Sequence, residues 1–216
     1  FQIMANKTKK KNINQKKERI SDFKSSNQII NNRKHNFYAI TVFIILGFIL
    51  YANTITHDYA LDDAIVINKN KFTQQGISGI TDIFKYDTFV GFWLSTDSTK
   101  TAKQIQNDKK LVAGGRYRPL SLVSFAIEKE LFGKEIYDHN DKFLYYGNPA
   151  ISHFNNIILY ILTAIVLYFV LLSLFAKYPA KNWFLSLPFI TTLFFLAHPI
   201  HTEAVANIKG RDEIMT

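Results

Sequence analysis

Apolar residues along this chain are concentrated in three blocks, and charged segments separate the blocks. The first block, 37–55, has nineteen residues without a charge, and the second, 156–176, has twenty-one. A helix rises about 1.5 Å per residue, so each block is long enough to cross a hydrocarbon core of about 30 Å. A buried helix of a soluble domain is the alternative, but uncharged runs of this length favour membrane spans.

The third block is shorter and contains Pro188. Because no Lys, Arg or Asp interrupts the segment that follows it, we predict a third span over 182–197, with a kink at the proline. The pattern predicts an all-α, polytopic membrane helical bundle.

Segment 56–155, between the first two spans, contains two stretches with helical spacing of apolar residues. Residues 76–86 form the weaker stretch. Residues 117–133 form the stronger one, with Pro119 in the first turn, a stop at Gly133 and an apolar stripe opposite Glu128, Lys129 and Glu130; the stripe consists of Leu120, Val123, Ile127 and Leu131. Such helices either lie in the membrane interface or pack on each other in a small outer domain. The polar residues 94–110 are expected to form a solvated excursion.

The charge distribution orients the predicted spans. Residues 1–36 carry ten Lys/Arg against two acidic residues, which accounts for nearly all of the net charge of +9. The composition predicts a disordered tail. Its position before a span favours contact with membrane lipids and a cytoplasmic location over binding of nucleic acid. The loop 56–155 and the segment 198–216 are then outside. The chain has no cysteine, which excludes disulfides and thiolate chemistry.

Asp62 and Asp63 follow the first span within a few residues. Burial and a neighbouring like charge both raise the pKa of a carboxyl group, which suits a general base. A helix N-cap followed by a favourable first-turn charge is the alternative.

Two further polar clusters fall on the same predicted side. Arg116 and Arg118 follow two glycines at the start of a predicted helix, where they could hold phosphate oxygens, although a P-loop is excluded because its Lys-Ser/Thr ending is missing. His198, His201 and Glu203 stand at the end of the third block, with Arg211 after them. Their spacing is not that of a zinc protease, so contacts to a substrate or a lipid headgroup are favoured over a metal site.

Four stretches then match a known family in order. They are Leu61-Asp62-Asp63, the stretch Tyr117–Ser121, His153-Phe154-Asn155-Asn156 and the sixteen residues 198–213. Together they resemble the N-terminal membrane region of the transmembrane and tetratricopeptide-repeat (TMTC) protein O-mannosyltransferases, which are GT-C glycosyltransferases.

The resemblance implies an N-terminal fragment of a GT-C-like bundle, with further spans and helical repeats beyond it. It implies transfer of a sugar, most often mannose, from a polyprenyl-phosphate donor to a Ser/Thr hydroxyl of an acceptor protein, with inversion and without a metal or other cofactor. Asp62 matches the family's base and Asp63 its partner. The phosphate would be held by one or more of Arg116, Arg118, Lys209 and Arg211.

Two other functions compete with this one at the level of the sequence. One is a non-catalytic membrane scaffold that anchors downstream repeats, and the other is an ion or metal transporter that uses the two histidines and Glu203. The frequent Asn, Lys and Ile are typical of an AT-rich bacterial genome. The expected location is therefore a bacterial inner membrane, with the ER membrane as the eukaryotic alternative.

Overall fold

The computed structural model describes residues 33–97, 99–108, 117–178, 180 and 182–216. Most of them are helical. The α-helices before the strands are α1 (Arg33–Tyr51), α2 (Lys71–Gln74), α3 (Ile80–Lys85), α4 (Thr88–Thr96), α5 (Ala102–Asn107) and α6 (Pro119–Phe132). The strands are β1 (Lys134–Tyr137) and β2 (Phe143–Gly147), and the later helices are α7 (Pro149–Leu174), α8 (Leu187–Ala197), α9 (Thr202–Ala206) and α10 (Arg211–Ile214). Shorter 3-10 or π turns are Ala52–Thr56, Ala64–Asn68, Gly76–Gly79, Trp183–Leu185, Pro199–His201 and Ile208–Gly210.

Two helices are long and apolar enough to cross a membrane; one contains the first predicted span, and the other contains the second except for its last two residues. The first extends over Arg33–Thr56 when its last 3-10 turn is included, and the second over Pro149–Leu174. The third predicted span forms a helix of only 11 residues. At about 1.5 Å per residue this helix is roughly half as long as a hydrocarbon core is thick. The third span, and with it a polytopic bundle, therefore stays a prediction.

The described residues pack into two units, the first made up of those up to Leu46 and those within 161–197. Aromatic side chains join its helices. Phe43 lies at centroid distances of 5.3 Å from Tyr168 and 5.4 Å from Phe189, and Trp183 meets Phe189 edge to face at 5.0 Å. Pro188 occupies the first turn of α8 rather than its interior. A proline is accepted there without breaking a hydrogen bond, so the predicted kink is wrong.

The second unit comprises residues 47–160 and 198–216. Its short helices pack on each other around one core, in which Phe72, Val90 and Phe125 are nearly inaccessible. Helix α6 contributes Leu122, Phe125 and Ala126 to this core. Most of the predicted stripe points elsewhere, since Leu120 is 58% and Leu131 63% exposed, while Val123 packs against the edge of the core. Both sets have helical spacing, so periodicity alone could not choose between them.

Part of the segment predicted to be solvated is also folded into this core. Thr101 and Gln104 form a reciprocal capping box at the start of α5. One apolar residue of the helix, Ile105, is only 5% exposed and joins the core. The polar composition hid this element because five of its six residues are Ala, Lys, Gln or Asn.

A β-hairpin departs from the all-α prediction. β1 and β2 pair antiparallel, with Glu135 opposite Tyr146 and Ile136 opposite Tyr145. Aromatic and β-branched residues favour strands, and a run of Asp and Asn favours the connecting turn. The side chain of Gln74 binds β2 from outside the hairpin, because it donates to the Tyr146 carbonyl and accepts from the Tyr146 amide.

Candidate functional site

The segment 207–213 is the point at which the four sequence stretches meet. Its backbone is tightly folded: Asn207 caps the Lys209 amide at 3.2 Å. A Cβ atom on Gly210 would stand 2.5 Å from the carbonyl oxygen of Ala204, so only glycine fits there without movement. Each of the other three stretches contributes a polar side chain that contacts this segment.

Asp63 binds the backbone of the segment. Its side chain is only 2% exposed. Oδ1 accepts a hydrogen bond from the Lys209 amide at 2.8 Å, and Oδ2 accepts one from the Ala60 amide at 2.9 Å. Burial raises the pKa of Asp63, while the two amide donors oppose that shift. Asp63 therefore joins two distant parts of the chain and offers no free oxygen to a substrate.

Asp62, in contrast, is exposed. It follows Leu61, which has a left-handed backbone with φ of 38°. That conformation is uncommon for a non-glycine residue and turns the chain sharply. As a result the two neighbouring carboxylates face different surroundings, and Asp62 lines a cavity of about 270 Å³.

The cavity combines polar and apolar walls. Its polar lining residues are Asp62, Thr88, Arg118, Ser121, Lys209 and Asp212, and its apolar ones are Ile65, Val66, Phe89 and Leu122. Two side chains of each charge sign therefore surround one space. A cavity with a few convergent polar groups on apolar walls is typical of a small-molecule site.

Arg118 is held at the rim of this cavity by two carboxylates. Its Nη1 atom lies 2.9 Å from Asp212 and 2.7 Å from Glu213. The hydrogen bond that Arg118 donates to Glu213 and the charge of Asp212 raise the pKa of Arg118. Its side chain keeps a third of its surface exposed, and that of Glu213 is 56% exposed. In the described part of the chain the Lys209 ammonium group has no ion-pair partner within 4.0 Å.

Arg211 points away into a buried polar network. It is fully buried. It donates to Asn156 at 2.7 Å, to Ser124 and the Ser152 carbonyl at 2.9 Å, and to Glu128. Its guanidinium also stacks over the Phe125 ring, 4.1 Å from the centroid. Burial lowers the pKa of Arg211, and the charge of Glu128 opposes this.

The same network fixes the segment that carries the site. The amide group of Asn156 donates toward the carbonyls of Val205, Asn207 and Ile208. Glu128 also accepts from Ser152 at 2.8 Å and from Asn155 at 2.7 Å. Arg211 was predicted as a phosphate ligand, and in this arrangement its contacts are those of a structural group.

The histidine cluster lies apart from the residues that line the cavity. His198 is exposed and accepts from the Ile200 amide at 3.2 Å. The ring of His201 packs on Tyr160 at 5.5 Å, and burial lowers its pKa. Glu203 is exposed and accepts from Asn207. Among the described residues no group of three His, Asp or Glu side chains could hold a metal ion.

Of the predicted site residues, then, Asp62 and Arg118 share the cavity, and Asp63 and Arg211 support it. Arg116 lies outside the described residues. No functional role was predicted from the sequence for Asp212, Glu128 or Asn156. Asp212 and Asn156 stand inside the matching stretches, which is a signal that could have found them. Glu128 had no such signal, because it stands on the face of α6 that was predicted to be solvated.

Three relatives show what the chain as a whole is similar to. The chain is 30% identical over 165 residues to human protein O-mannosyl-transferase TMTC1, which covers 76% of the chain. It is 27% identical over 185 residues to mouse protein O-mannosyl-transferase TMTC4, and 29% identical over 169 residues to human TMTC2, with 83% and 78% of the chain covered.

The chain is similar to protein O-mannosyl-transferases. It spans only 15% to 21% of the length of these three TMTC relatives. No family model matches the chain. No solved structure matches it. The similarity supports a TMTC-like family and a glycosyltransferase role, and the two long apolar helices agree with a membrane protein.

Proposed function

We propose that this chain is part of a TMTC-like membrane glycosyltransferase of the GT-C type. It would transfer a sugar, in the first place mannose, from a polyprenyl-phosphate donor to a Ser/Thr hydroxyl of an acceptor protein at the outer face of the membrane. The observation that carries the proposal is that Asp62, Lys209 and Arg118 line one cavity. Sugar transfer from a phosphate needs this combination of an open carboxylate and nearby cations.

In the proposed reaction Asp62 is the base. Its carboxylate removes the proton from the acceptor hydroxyl while the oxygen of that hydroxyl attacks the anomeric carbon. The bond between the anomeric carbon and the phosphate oxygen breaks, and the lipid phosphate leaves with the electron pair. Asp63 has no such access, since both of its oxygens bind backbone amides. We assign it to positioning the Lys209 backbone.

Lys209 and Arg118 are the proposed cations for the departing phosphate. Lys209 is unpaired among the described residues and Arg118 is only a third exposed, with one exposed partner in Glu213. A phosphate can replace such a partner at little cost, because exposed ion pairs contribute little. Arg211 holds the segment 207–213 in place for both groups. A lipid monophosphate donor does not require a metal ion.

Replacing Asp62 tests the proposal. In the full-length membrane protein, Asp62→Asn should lower the rate of mannose transfer to an acceptor peptide by roughly 10²–10⁴-fold, since a positioned base contributes about that factor. Membrane insertion and thermal unfolding should stay unchanged, because Asp62 is exposed. Transfer is measured with radiolabelled polyprenyl-phosphate mannose.

Asp58→Asn is the matched control, because Asp58 is an exposed aspartate four positions earlier that does not line this cavity. It should keep the wild-type rate. Wild-type turnover by Asp62→Asn would reject the base. Absence of transfer by the wild-type protein would reject the function and favour the scaffold.

A further inference from the structure

One carboxylate group that lines the cavity has no role in the proposed reaction. Asp212 lines the cavity and its side chain is only 8% exposed. Its Oδ2 atom pairs with Arg118 at 2.9 Å. The Oδ1 atom is buried and has no hydrogen-bond partner among the described residues. A buried acceptor without a donor is costly, so an orphaned oxygen beside a cavity points to a ligand that brings the donor.

The surroundings decide what kind of donor would suit this oxygen. Two cationic side chains, Arg118 and Lys209, balance the charge of the two carboxylates that line the cavity, so the lining has no excess negative charge to attract a metal ion. The described residues also contain no group that could complete a metal site. A neutral O–H group needs neither an excess of negative charge nor a set of metal ligands. Hydroxyl groups are what a sugar offers, and hydrogen bonds from them to a carboxylate are among the stronger ones.

The Arg118 contacts indicate how such a hydroxyl would enter. A phosphate that draws the guanidinium away from Glu213 and Asp212 leaves the buried carboxylate with fewer donors. A sugar attached to that phosphate would arrive at the same time with donors of its own. A single movement of Arg118 would replace its two carboxylate partners with the phosphate of the donor. The sugar attached to that phosphate would then become the new partner of Asp212.

We infer that Asp212 is the sugar-binding residue of the cavity and accepts a hydrogen bond from a hydroxyl of the donor sugar. This inference rests on the proposed function, because it assumes that the ligand is a sugar attached to a lipid phosphate. It divides the cavity between a phosphate part, with Lys209 and Arg118, and a sugar part at Asp212. Binding measurements separate the two parts without any need for turnover.

The experiment compares polyprenyl-phosphate mannose with polyprenyl phosphate that carries no sugar. Both are titrated into the full-length protein in nanodiscs. Asp212→Asn should weaken binding of the sugar-bearing lipid by about tenfold to a hundredfold, the loss expected for a hydrogen bond to a charged group. Binding of the bare lipid phosphate should change by less than about threefold, a shift below the value of one ordinary hydrogen bond. Lys209→Met should weaken both ligands alike.

Glu213→Gln is the matched control, since it removes the other carboxylate that pairs with Arg118 but stands outside the cavity lining. Its effect should be equal for the two lipids. Equal weakening of both lipids by Asp212→Asn, or no weakening of either, would overturn the inference.

A second measurement uses only wild-type protein, so it does not depend on the folding of a variant. Donors that each lack one sugar hydroxyl are titrated in turn, and at least one should bind about tenfold or more weakly, as expected when a charge-assisted hydrogen bond is lost. Equal affinity for every deoxy donor would also overturn the inference. Failure of the proposed function has a different signature, namely absence of transfer, or an Asp62→Asn variant that still turns over.

Discussion

Arg211 and Asp212 are neighbours in the chain, yet they belong to two regions of opposite character. Arg211 is fully buried and makes four hydrogen bonds and a ring contact in a network with Glu128 and Asn156. Asp212 lines the cavity, with one oxygen paired to Arg118 and the other without a hydrogen-bond partner among the described residues. The buried network and the cavity therefore contact the same backbone segment, 207–213, through neighbouring side chains.

The difference shows how a charged side chain can be assigned a role. A buried charge is tolerated only when partners surround it, so the contacts of Arg211 describe a structural group. Among the described residues the Lys209 ammonium group and one oxygen of Asp212 have no partner, as is common in sites that bind a ligand. The network then holds the segment rigid while the cavity keeps its charges available. Three changes test this division, in order of expected effect.

The largest effect is expected from Glu128→Ala in the buried network. The substitution leaves the Arg211 charge without its carboxylate partner, and breaking a buried pair in this way costs about 3–5 kcal/mol. Thermal or denaturant unfolding of the purified protein measures the loss. Glu130→Ala is the control two residues away, where an exposed carboxylate lies 3.9 Å from Lys129. An exposed pair contributes about 0–1 kcal/mol, so similar losses in the two variants would contradict the comparison.

A smaller effect, and one of a different kind, is expected from Lys209→Met in the cavity. Unfolding should change by less than about 0.5 kcal/mol, as for substitutions away from buried networks. The KM for the lipid-phosphate donor should rise roughly tenfold to a hundredfold, because one charge-assisted contact to phosphate is lost. Lys142→Met, at the exposed hairpin turn, should alter neither quantity. A large loss of stability in Lys209→Met would show that Lys209 has a structural role and would contradict its assignment to the cavity.

The smallest effect concerns the pH dependence of stability at Asp63. Burial raises the pKa of this carboxyl in the folded state above its ordinary value of 3.8. The folded protein then binds a proton more readily than the unfolded chain, so this group's contribution to stability falls as pH rises from 3.8 through the folded pKa. Asp63→Asn should remove this decrease in stability with rising pH. Melting temperatures measured at intervals from pH 4 to pH 7 report it, and an identical pH slope in both proteins would count against the assignment.

The sequence alone determined which segments are long and apolar enough to span a membrane, because length and the absence of charge are local properties. The helix Arg33–Thr56 contains the first long block, and Pro149–Leu174 contains the second except for its last two residues. The sequence also located helix α6, from the proline at its first turn to the glycine after it. The resemblance of four short stretches predicted a TMTC-like family, and the similarity to TMTC proteins supports that prediction.

Only the tertiary structure decided what each charged residue does. Asp62 and Asp63 are alike in sequence, and the contact that separates them joins Asp63 to Lys209, 146 positions away. Glu128 stands on the face of α6 predicted to be solvated, and Arg211, 83 positions away, draws it into the interior. Periodicity reports the faces of a helix but not the element that covers each face. Burial and pairing depend on residues distant in the chain, so they follow from the packing and not from the local pattern.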